Sequence, residues 1–407
     1  MRILVVSHYF PPEIGAPQAR LSELSRYWAE AGHEVTVLTG LPNHPTGVVA
    51  PEYRRRMTCE EHVDGYRVLR TWLYATPNEG VVKKTLGHLS FMLTSVALGL
   101  RRTGPQDVVV VSSPTFFSIF SAWFIARVRR ARFVVEIRDL WPAIFVELGV
   151  LTNPWVIRLL EAFETAAYRA ADAVVVVTEG FKEHIVARRV PEAKVHTIHN
   201  GVDIDRFAPD GVAEHERLAA RARLGASAGE TLVLYTGAHG LSHGLVAIAD
   251  AAAKLDGEPI HFAFVGEGAA KRDLEARVAE LGLRNVTMLP GVPRAEVPAL
   301  VAAADICLVP LRDVPLFSTF IPSKMFEYLA AGKAIVGAVR GEPAGILRDA
   351  GAVVVEPENS ASIADAIRQL ARDRDQRRSM GTMGRAFVVD HFDRRNLAGA
   401  YLDILEP

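Results

Sequence analysis

Short apolar runs that alternate with helical patterns constrain the fold of this chain more than any other feature. Residues 2–7 (RILVVS) form a continuous apolar run, which is typical of a strand covered on both faces. Residues 18–31 then show a helical pattern, and residues 34–39 form a second apolar run. The first forty residues are therefore predicted to form one βαβ unit.

The same alternation recurs along the chain and predicts an α/β fold with doubly wound parallel sheets. Further apolar runs lie at residues 107–111, 133–137, 172–177, 231–236, 261–265, 286–289, 306–310 and 334–336. Between residues 206 and 225 the alternation gives way to polar, Ala-rich and charged sequence. We therefore expect two α/β domains with a boundary near residues 200–228.

Composition excludes several classes of protein. The 407 residues carry a formal net charge of −1, so no electrostatic bias toward nucleic acid is expected. The two cysteines, Cys59 and Cys307, are far apart in sequence, which favours a cytosolic protein without disulfides. The sequence begins directly with a strand pattern and lacks the apolar core of a signal peptide, so we expect a cytoplasmic location.

Residues 317–333 (FSTFIPSKMFEYLAAGK) follow an apolar strand and contain a short predicted helix. Ser323 and Lys324 lie at its start, and Glu327 lies one turn further on the same side. A helix N-terminus beyond the carboxyl end of a strand favours a phosphate. Glu327 is suited to accept both hydroxyls of a ribose, although an acid in a first helical turn also stabilises a helix without binding anything.

Other polar and glycine residues follow the predicted strands, where ligands bind in doubly wound sheets. In the first half these are Gly15, Asp139 within Arg138-Asp139, and Asn200. In the second half they are Gly237, His239, Gly266, Gly291 and Val292. The turn after the first strand lacks the G-x-G-x-x-G pattern of a dinucleotide oxidoreductase. Arg138 and Asp139 also remain open to a purely structural role as an ion pair.

Residues 81–102 (VVKKTLGHLSFMLTSVALGLRR) break the alternation with an apolar stretch flanked by basic residues. The stretch is too polar for a spanning helix, which needs about 20 apolar residues. Two interpretations remain open: a helix on a membrane surface with its basic ends near anionic lipid, or a core helix of the first domain.

Seven motifs, PPEIGA, DLWP, HNGVD, YTG, VGEG, PGV and PSKMFEYLAAGK, together resemble retaining glycosyltransferases of family 4. With LPNHPTG, the set is similar to a subgroup that acts in bacterial surface-polysaccharide assembly. The resemblance implies the GT-B architecture, in which two Rossmann-like domains face a central cleft. It implies an acceptor-binding domain at residues 1–205 and a nucleotide-sugar-binding domain at 206–385. It also implies that a last helix, about residues 386–407, packs back onto the first domain.

The resemblance also assigns roles to single residues. Glu327 matches the ribose-binding glutamate, Gly291 and Val292 match the backbone around the base, and Gly15 matches the loop near the diphosphate. Asp139 lies at the position associated with the transferred sugar.

Two departures from the family pattern concern the donor site. The residue eight before Glu327 is Thr319, where relatives often carry a second glutamate, so we include Thr319 with Asp139 and Lys324 among the catalytic candidates. Residues 237–244 lack the Arg and Lys that relatives carry there, and His243 occupies the place of the Lys. We therefore expect Lys324 to be the principal cation at the phosphates, with His243 as the alternative.

The implied reaction moves a sugar from a nucleotide-diphosphate sugar, UDP-linked by expectation, to a saccharide or polyprenyl-linked acceptor with retention of configuration. No D-x-D pair lies in a suitable loop, so we expect neither a metal nor another cofactor. A nucleotide-sugar 2-epimerase of the same architecture and a non-catalytic two-domain sugar- or nucleotide-binding protein remain as alternatives.

Overall fold

The computed structural model describes residues 1–13, 15–44, 46–77, 81–113 and 116–406, without the side chains of Val81 and Phe116. It divides the chain into two compact units. Unit 1 contains Met1–Asn200 and Arg394–Pro407, and unit 2 contains Gly201–Asp393. Each unit is built on a largely parallel sheet with helices, so the α/β class expected from the sequence is confirmed.

The described part of unit 1 contains one eight-stranded sheet in the order β3-β4-β2-β1-β5-β6-β7-β8. Its strands are β1 (Arg2–Val6), β2 (Glu34–Gly40), β3 (Thr58–Val63), β4 (Tyr66–Thr71), β5 (Val108–Ser112), β6 (Arg132–Ile137), β7 (Ala173–Val176) and β8 (Val195–Thr197). Its helices are α1 (Ala16–Glu30), α2 (Val81–Thr94), α3 (Leu100–Arg102), α4 (Phe116–Arg129), α5 (Ala143–Glu147), α6 (Pro154–Ala170) and α7 (Glu179–Ala187). The central strands are buried, apart from Arg2 at the start of β1, as their continuous apolar sequence predicts.

One edge of this sheet departs from the all-parallel expectation, because β3 pairs antiparallel with β4. Asp64 and Gly65, which join the two strands, have φ values of 47° and 83°. A two-residue turn with positive φ at both positions matches the twist of a β-hairpin. The Asp-Gly pair is the sequence signal for this hairpin.

The helices of unit 1 lie on the two faces of its sheet. Each of α2, α4, α6 and α7 connects a strand to one that lies nearer the β8 edge of the sheet, so right-handed crossovers place these four helices on one face. The connection from β1 to β2 runs toward the β3 edge instead, and its right-handed crossover places α1 on the opposite face. A π-helical turn, Ser95–Gly99, continues α2 into α3, and α2 packs against α4.

Unit 2 holds, within the described residues, a six-stranded parallel sheet in the order β11-β10-β9-β12-β13-β14. Its strands are β9 (Thr231–Thr236), β10 (Ile260–Val265), β11 (Val286–Leu289), β12 (Ile306–Pro310), β13 (Ala334–Ala338) and β14 (Val353–Val355). Its helices are α8 (Glu214–Arg223), α9 (Leu245–Ala253), α10 (Lys271–Glu280), α11 (Val297–Ala303), α12 (Lys324–Ala330), α13 (Glu342–Asp349), α14 (Ser360–Arg372) and α15 (Arg374–Phe392).

The last helix, α16 (Arg394–Leu405), belongs to unit 1 and packs against α1. Trp28 Nε1 on α1 donates a 3.0 Å hydrogen bond to the Ala398 carbonyl, and the Trp28 and Tyr401 ring centroids are 5.3 Å apart. Arg394 donates from Nε to the Asn200 carbonyl at 2.9 Å and pairs with Glu23. The segment expected to be one last helix, about residues 386–407, is instead divided: Phe392 ends α15 in unit 2 and packs on Phe326. The backbone turns out of helical geometry at Asp393 (φ −62°, ψ 120°), and this separates the two helices.

Candidate functional site

Lys324 is the buried cation at the carboxyl edge of the unit 2 sheet. Its Nζ lies 3.6 Å from the centroid of the Tyr235 ring and, among the described residues, has no hydrogen-bond partner. Burial lowers the pKa of Lys324 well below its ordinary value, and the nearby Glu327 carboxylate opposes that shift. The Nζ atom is buried, so Lys324 does not extend along an exposed face of its helix. A buried ammonium group without a hydrogen-bond partner among the described residues is suited to an anion.

The fold of α12 fixes the position of this ammonium group. Met325, Phe326 and Leu329 are buried in the unit 2 core, as the helical pattern predicts. Tyr328 ties the helix to β9, because its hydroxyl accepts a 2.9 Å hydrogen bond from the Thr236 N–H. Lys324 therefore starts a helix that is anchored on its apolar side.

Gly237 follows β9 and lies against the end of the Lys324 side chain. Its φ is 118°, a conformation that favours glycine. A Cβ atom at residue 237 would lie 3.3 Å from Lys324 Nζ. Glycine at this position therefore keeps open space directly beside the ammonium group.

His239 and His243 lie in the same region, with ring centroids 5.7 Å and 6.0 Å from that of Tyr235. Both nitrogens of His239 and Nδ1 of His243 are buried without a hydrogen-bond partner among the described residues. Burial lowers the pKa of His239 to about 4, and the charges of Lys271 and Lys324 contribute smaller shifts in the same direction. Burial, Lys324 and His239 lower the pKa of His243 well below its ordinary value. Both shifts favour the neutral form of these imidazoles, so neither histidine is expected to be the cation at this site.

Gly266 follows β10 and lets its loop approach the loop after β9. A Cβ atom at residue 266 would lie only 1.9 Å from the Gly237 carbonyl oxygen. The two loops are also joined by a 2.9 Å hydrogen bond from the His239 N–H to the Glu267 carbonyl. Glu267 pairs with Lys271 at 2.8 Å, and this places a second cation near His239.

Glu327 is held by a residue that the sequence reasoning missed. Its Oε1 lies 3.2 Å from Nη1 of Arg294, which follows the Pro290-Gly291-Val292 turn after β11. Both side chains are largely buried. Val292 is itself buried, and Gly291 lies beside the Glu267 side chain. A basic residue just after a strand-end glycine is the signal that points to Arg294.

Thr319 and Ser323 lie on the segment that leads into α12. Thr319 ends a short 3₁₀ turn, and its Oγ1 donates to the Leu316 carbonyl at 2.8 Å. Ser323 precedes the helix in helical conformation, and its side chain makes no capping hydrogen bond.

Unit 1 holds the remaining candidates, Asp139, Asn200 and Gly15. Burial raises the pKa of Asp139, and Arg138 opposes that shift. Arg138 is buried, and its Nη2 lies 3.4 Å from Asn200 Oδ1. Gly15 caps α1, whose first turn contains no acid and no capping side chain. Its φ of 168° is extended backbone, so glycine is not required there for conformation.

A group of aromatic and histidine rings at the carboxyl end of β1 also escaped the sequence reasoning. The ring centroid of His8 lies 4.4 Å from the ring centroids of both Tyr9 and His88. The ring centroids of Tyr9 and His44 are 5.3 Å apart. Glu13 holds the neighbouring loop, because its carboxylate accepts hydrogen bonds from the N–H groups of Phe10, Asn43 and His44. The signal was the pair of histidine-containing loops, SHYFPPE and LPNH.

Among the described residues, no three or more His, Cys, Asp or Glu side chains are grouped so that they could hold a metal ion. Likewise, no helix in the described ranges is long and apolar enough to cross a membrane.

Comparison with known families matches both halves of the chain. Residues 15–201 match the family "Glycosyl transferase 4-like domain", and residues 216–387 match "Glycosyl transferases group 1". A curated relative, the putative colanic acid biosynthesis glycosyl transferase WcaI of Escherichia coli K12, is 29% identical over 379 residues. That match covers 91% of this chain and 92% of the relative.

Solved structures share the fold of the whole chain. WaaG, a glycosyltransferase involved in lipopolysaccharide biosynthesis, superimposes with a TM-score of 0.71 at 19% identity over 99% of each chain. Anabaena HepE in complex with UDP-glucose gives a TM-score of 0.73 at 16% identity, over 100% of this chain and 99% of the other. The GT-B fold expected from the sequence motifs is thus confirmed.

Proposed function

This chain is a glycosyltransferase built from a glycosyl transferase 4-like domain and a glycosyl transferases group 1 domain, and from that premise we propose its substrates and mechanism. It transfers a sugar from a UDP-linked donor to a saccharide or polyprenyl-linked saccharide in cell-surface polysaccharide synthesis. The likeness to WcaI supports the pathway, and the likeness to HepE bound to UDP-glucose supports the donor. The enzyme acts in the cytoplasm at the inner surface of the membrane.

The buried ammonium group of Lys324 is the observation that carries the proposal. It has no hydrogen-bond partner among the described residues, and Gly237 leaves space beside it. His239 and His243 line the same space as neutral imidazoles, which donate or accept hydrogen bonds without adding charge. This surrounding suits the diphosphate of the donor, with Glu327 one turn away for the ribose hydroxyls.

In the proposed reaction the bond between the anomeric carbon and the phosphate oxygen breaks while the acceptor oxygen attacks from the same face. Attack on the face that the leaving group vacates retains the configuration at the anomeric carbon, and the acceptor proton passes to the leaving phosphate oxygen. Lys324 stabilises the negative charge that develops on the leaving group. Asp139, whose pKa burial raises, is assigned to a hydroxyl of the transferred sugar.

The test substitutes Lys324→Met, which keeps an unbranched side chain of similar length and removes its charge. We expect the turnover number to fall by about 10²–10³, the usual effect of removing one charge-stabilising donor. Initial rates are measured with UDP-sugars and a crude lipid-linked acceptor extract, and product configuration is read by nuclear magnetic resonance. Lys254→Met, at an exposed lysine of unit 2, is the matched control.

A fully active Lys324→Met enzyme contradicts the assignment of the phosphate site. Conversion of the nucleotide sugar into its 2-epimer without acceptor contradicts the transfer reaction itself. The two failures are therefore distinguishable in the same assay.

A further inference from the structure

Arg138 is a second buried cation, at the carboxyl end of the unit 1 sheet, and the proposed reaction gives it no role. It follows β6 directly, and its side chain is buried. Nε and Nη1 of its guanidinium group have no hydrogen-bond partner in the described part of the chain. Asp139 is the next residue, but the described contacts include no ion pair between the two. Burying a guanidinium group without a paired carboxylate costs free energy that an anionic ligand offsets.

The neighbouring arginines of unit 1 are bonded differently. Arg20 pairs with Glu136 at 3.1 Å and also donates to two backbone carbonyls. Arg394 likewise pairs with a buried glutamate of α1. Arg138 instead makes one long contact, of 3.4 Å from its Nη2 to Asn200 Oδ1. The two buried glutamates of this cluster are therefore already paired with other arginines.

The charges that surround Arg138 leave it a cation. Burial lowers the pKa of Arg138 to about 10. The neighbouring acids Glu136 and Asp139 oppose that shift, and two neighbouring arginines add to it. Because a pKa near 10 keeps the guanidinium group protonated at pH 7, Arg138 attracts an anion throughout the neutral range.

Asn200 places a second donor beside this guanidinium group. It lies in the segment after β8, its side chain is buried, and its backbone carbonyl is held by a 2.9 Å hydrogen bond from Arg394 Nε. Because its Oδ1 faces Arg138, its amide NH₂ group is turned to donate elsewhere. A guanidinium group beside an amide NH₂ group offers several donors, and this suits a carboxylate or a phosphate.

We propose that Arg138 and Asn200 bind an anionic group of the acceptor, either the carboxylate of an acidic sugar or a phosphate. The proposal rests on the function proposed above and narrows its acceptor to a negatively charged saccharide. Arg138 then distinguishes charged acceptors from neutral ones. The two buried cations of the chain thus serve different anions, since Lys324 in unit 2 is assigned to the diphosphate of the donor.

The experiment measures thermal unfolding of the full chain with three sugars at equal millimolar concentration. These are methyl β-glucuronide, which carries a carboxylate, glucose 1-phosphate, and the neutral methyl β-glucoside. A ligand that binds only the folded protein raises its unfolding temperature. We expect a rise with an anionic sugar and none with the glucoside. The anionic sugar that gives the larger rise distinguishes the carboxylate from the phosphate.

Arg138→Met is expected to bind that anionic sugar about 10–100-fold more weakly, the effect of losing a hydrogen bond to a charged group. Arg101→Met, at an exposed arginine of unit 1, is the matched control and should respond as the wild type does. Lys324→Met should also keep the response, because its charge belongs to the donor site.

Equal responses of the wild type to charged and neutral sugars overturn the proposal, as does an unchanged affinity of folded Arg138→Met. A response that Lys324→Met abolishes overturns it too, because the anion then occupies the donor site. Should Arg138→Met fail to fold, Asn200→Ala carries the same test, and an unchanged affinity is again the contrary result. None of these measurements needs turnover, so UDP affinity on the same preparations tests the proposed function separately.

Discussion

At the scale of one residue, Lys324 shows how a buried charged group lowers the stability of the folded protein. Its ammonium group is buried against the Tyr235 ring without a hydrogen-bond partner among the described residues. Removing such a charge from water costs free energy unless another charge compensates it. The ligand-free protein therefore carries a local free-energy cost, which the diphosphate proposed as its ligand offsets.

Lys324→Met is accordingly expected to stabilise the ligand-free protein at pH 7 by up to several kcal/mol, roughly the effective cost of burying one ion. Because burial lowers the folded-state pKa below the unfolded-state value of about 10.4, wild-type stability rises with pH through that interval. The variant lacks this contribution. Denaturant unfolding across alkaline pH measures both effects, and a less stable variant contradicts the argument.

Glu327 and Arg294 show how two elements share one function. α12 supplies the carboxylate, and the loop after β11 supplies the guanidinium that contacts Oε1. A carboxylate held through one oxygen keeps its other oxygen for a ligand. The pair therefore fixes the Glu327 carboxylate in position, which suits the proposed contact with the ribose hydroxyls.

Glu327→Ala is expected to weaken UDP binding by about 1.5–3 kcal/mol, the scale of a hydrogen bond to a charged group. Isothermal titration with UDP and with 2′-deoxy-UDP supplies the specific readout. The wild type should distinguish the two nucleotides, and the variant should bind them alike. Glu275→Ala, an exposed glutamate on α10, serves as control. If the variant still discriminates, Glu327 does not contact the ribose.

Elements with strong periodicity were predictable from the sequence, and contacts between distant residues were not. The strands and α12 follow from continuous apolar runs and from one apolar helix face. The β3–β4 hairpin was missed although Asp64-Gly65 signals it. The periodicity of α6 is clear, but it does not reveal which face is turned outward, because that depends on the ion pair between Glu164 and Arg188. The Arg294 pair likewise joins residues 33 positions apart.

Over the whole molecule, the sequence predicts two α/β units but leaves their limits approximate. The expected limits were residues 1–205 and 206–385, and the structure divides the chain after Asn200 and again after Asp393. Both limits depend on hydrogen bonds between residues that are far apart in sequence, such as the bond from Arg394 Nε to the Asn200 carbonyl. Such bonds leave no periodic signal in the sequence.

Tyr401→Ala tests how strongly α16 stabilises unit 1. Tyr401 is fully buried and contacts Trp28, so its truncation is expected to cost about 3–5 kcal/mol, as for other buried aromatic residues. Thermal unfolding should show a lower transition for the variant, while UDP affinity, assigned to unit 2, remains unchanged. Asp403→Ala, an exposed residue on the same helix, should leave both unchanged. A loss of UDP affinity without loss of stability contradicts this division of roles.

The late position of α16 has a consequence for folding during synthesis. Translation at about 5–20 residues per second leaves roughly 10–40 s between the emergence of Asn200 and that of Arg394. During that interval α1 has no partner for Trp28, although all the strands of its sheet have been made. Unit 2 is continuous from Gly201 to Asp393 and needs no later segment. On the ribosome, unit 2 is therefore able to complete its fold before unit 1 does. Unit 1 keeps apolar surface uncovered until α16 emerges, and it depends on chaperones during that interval.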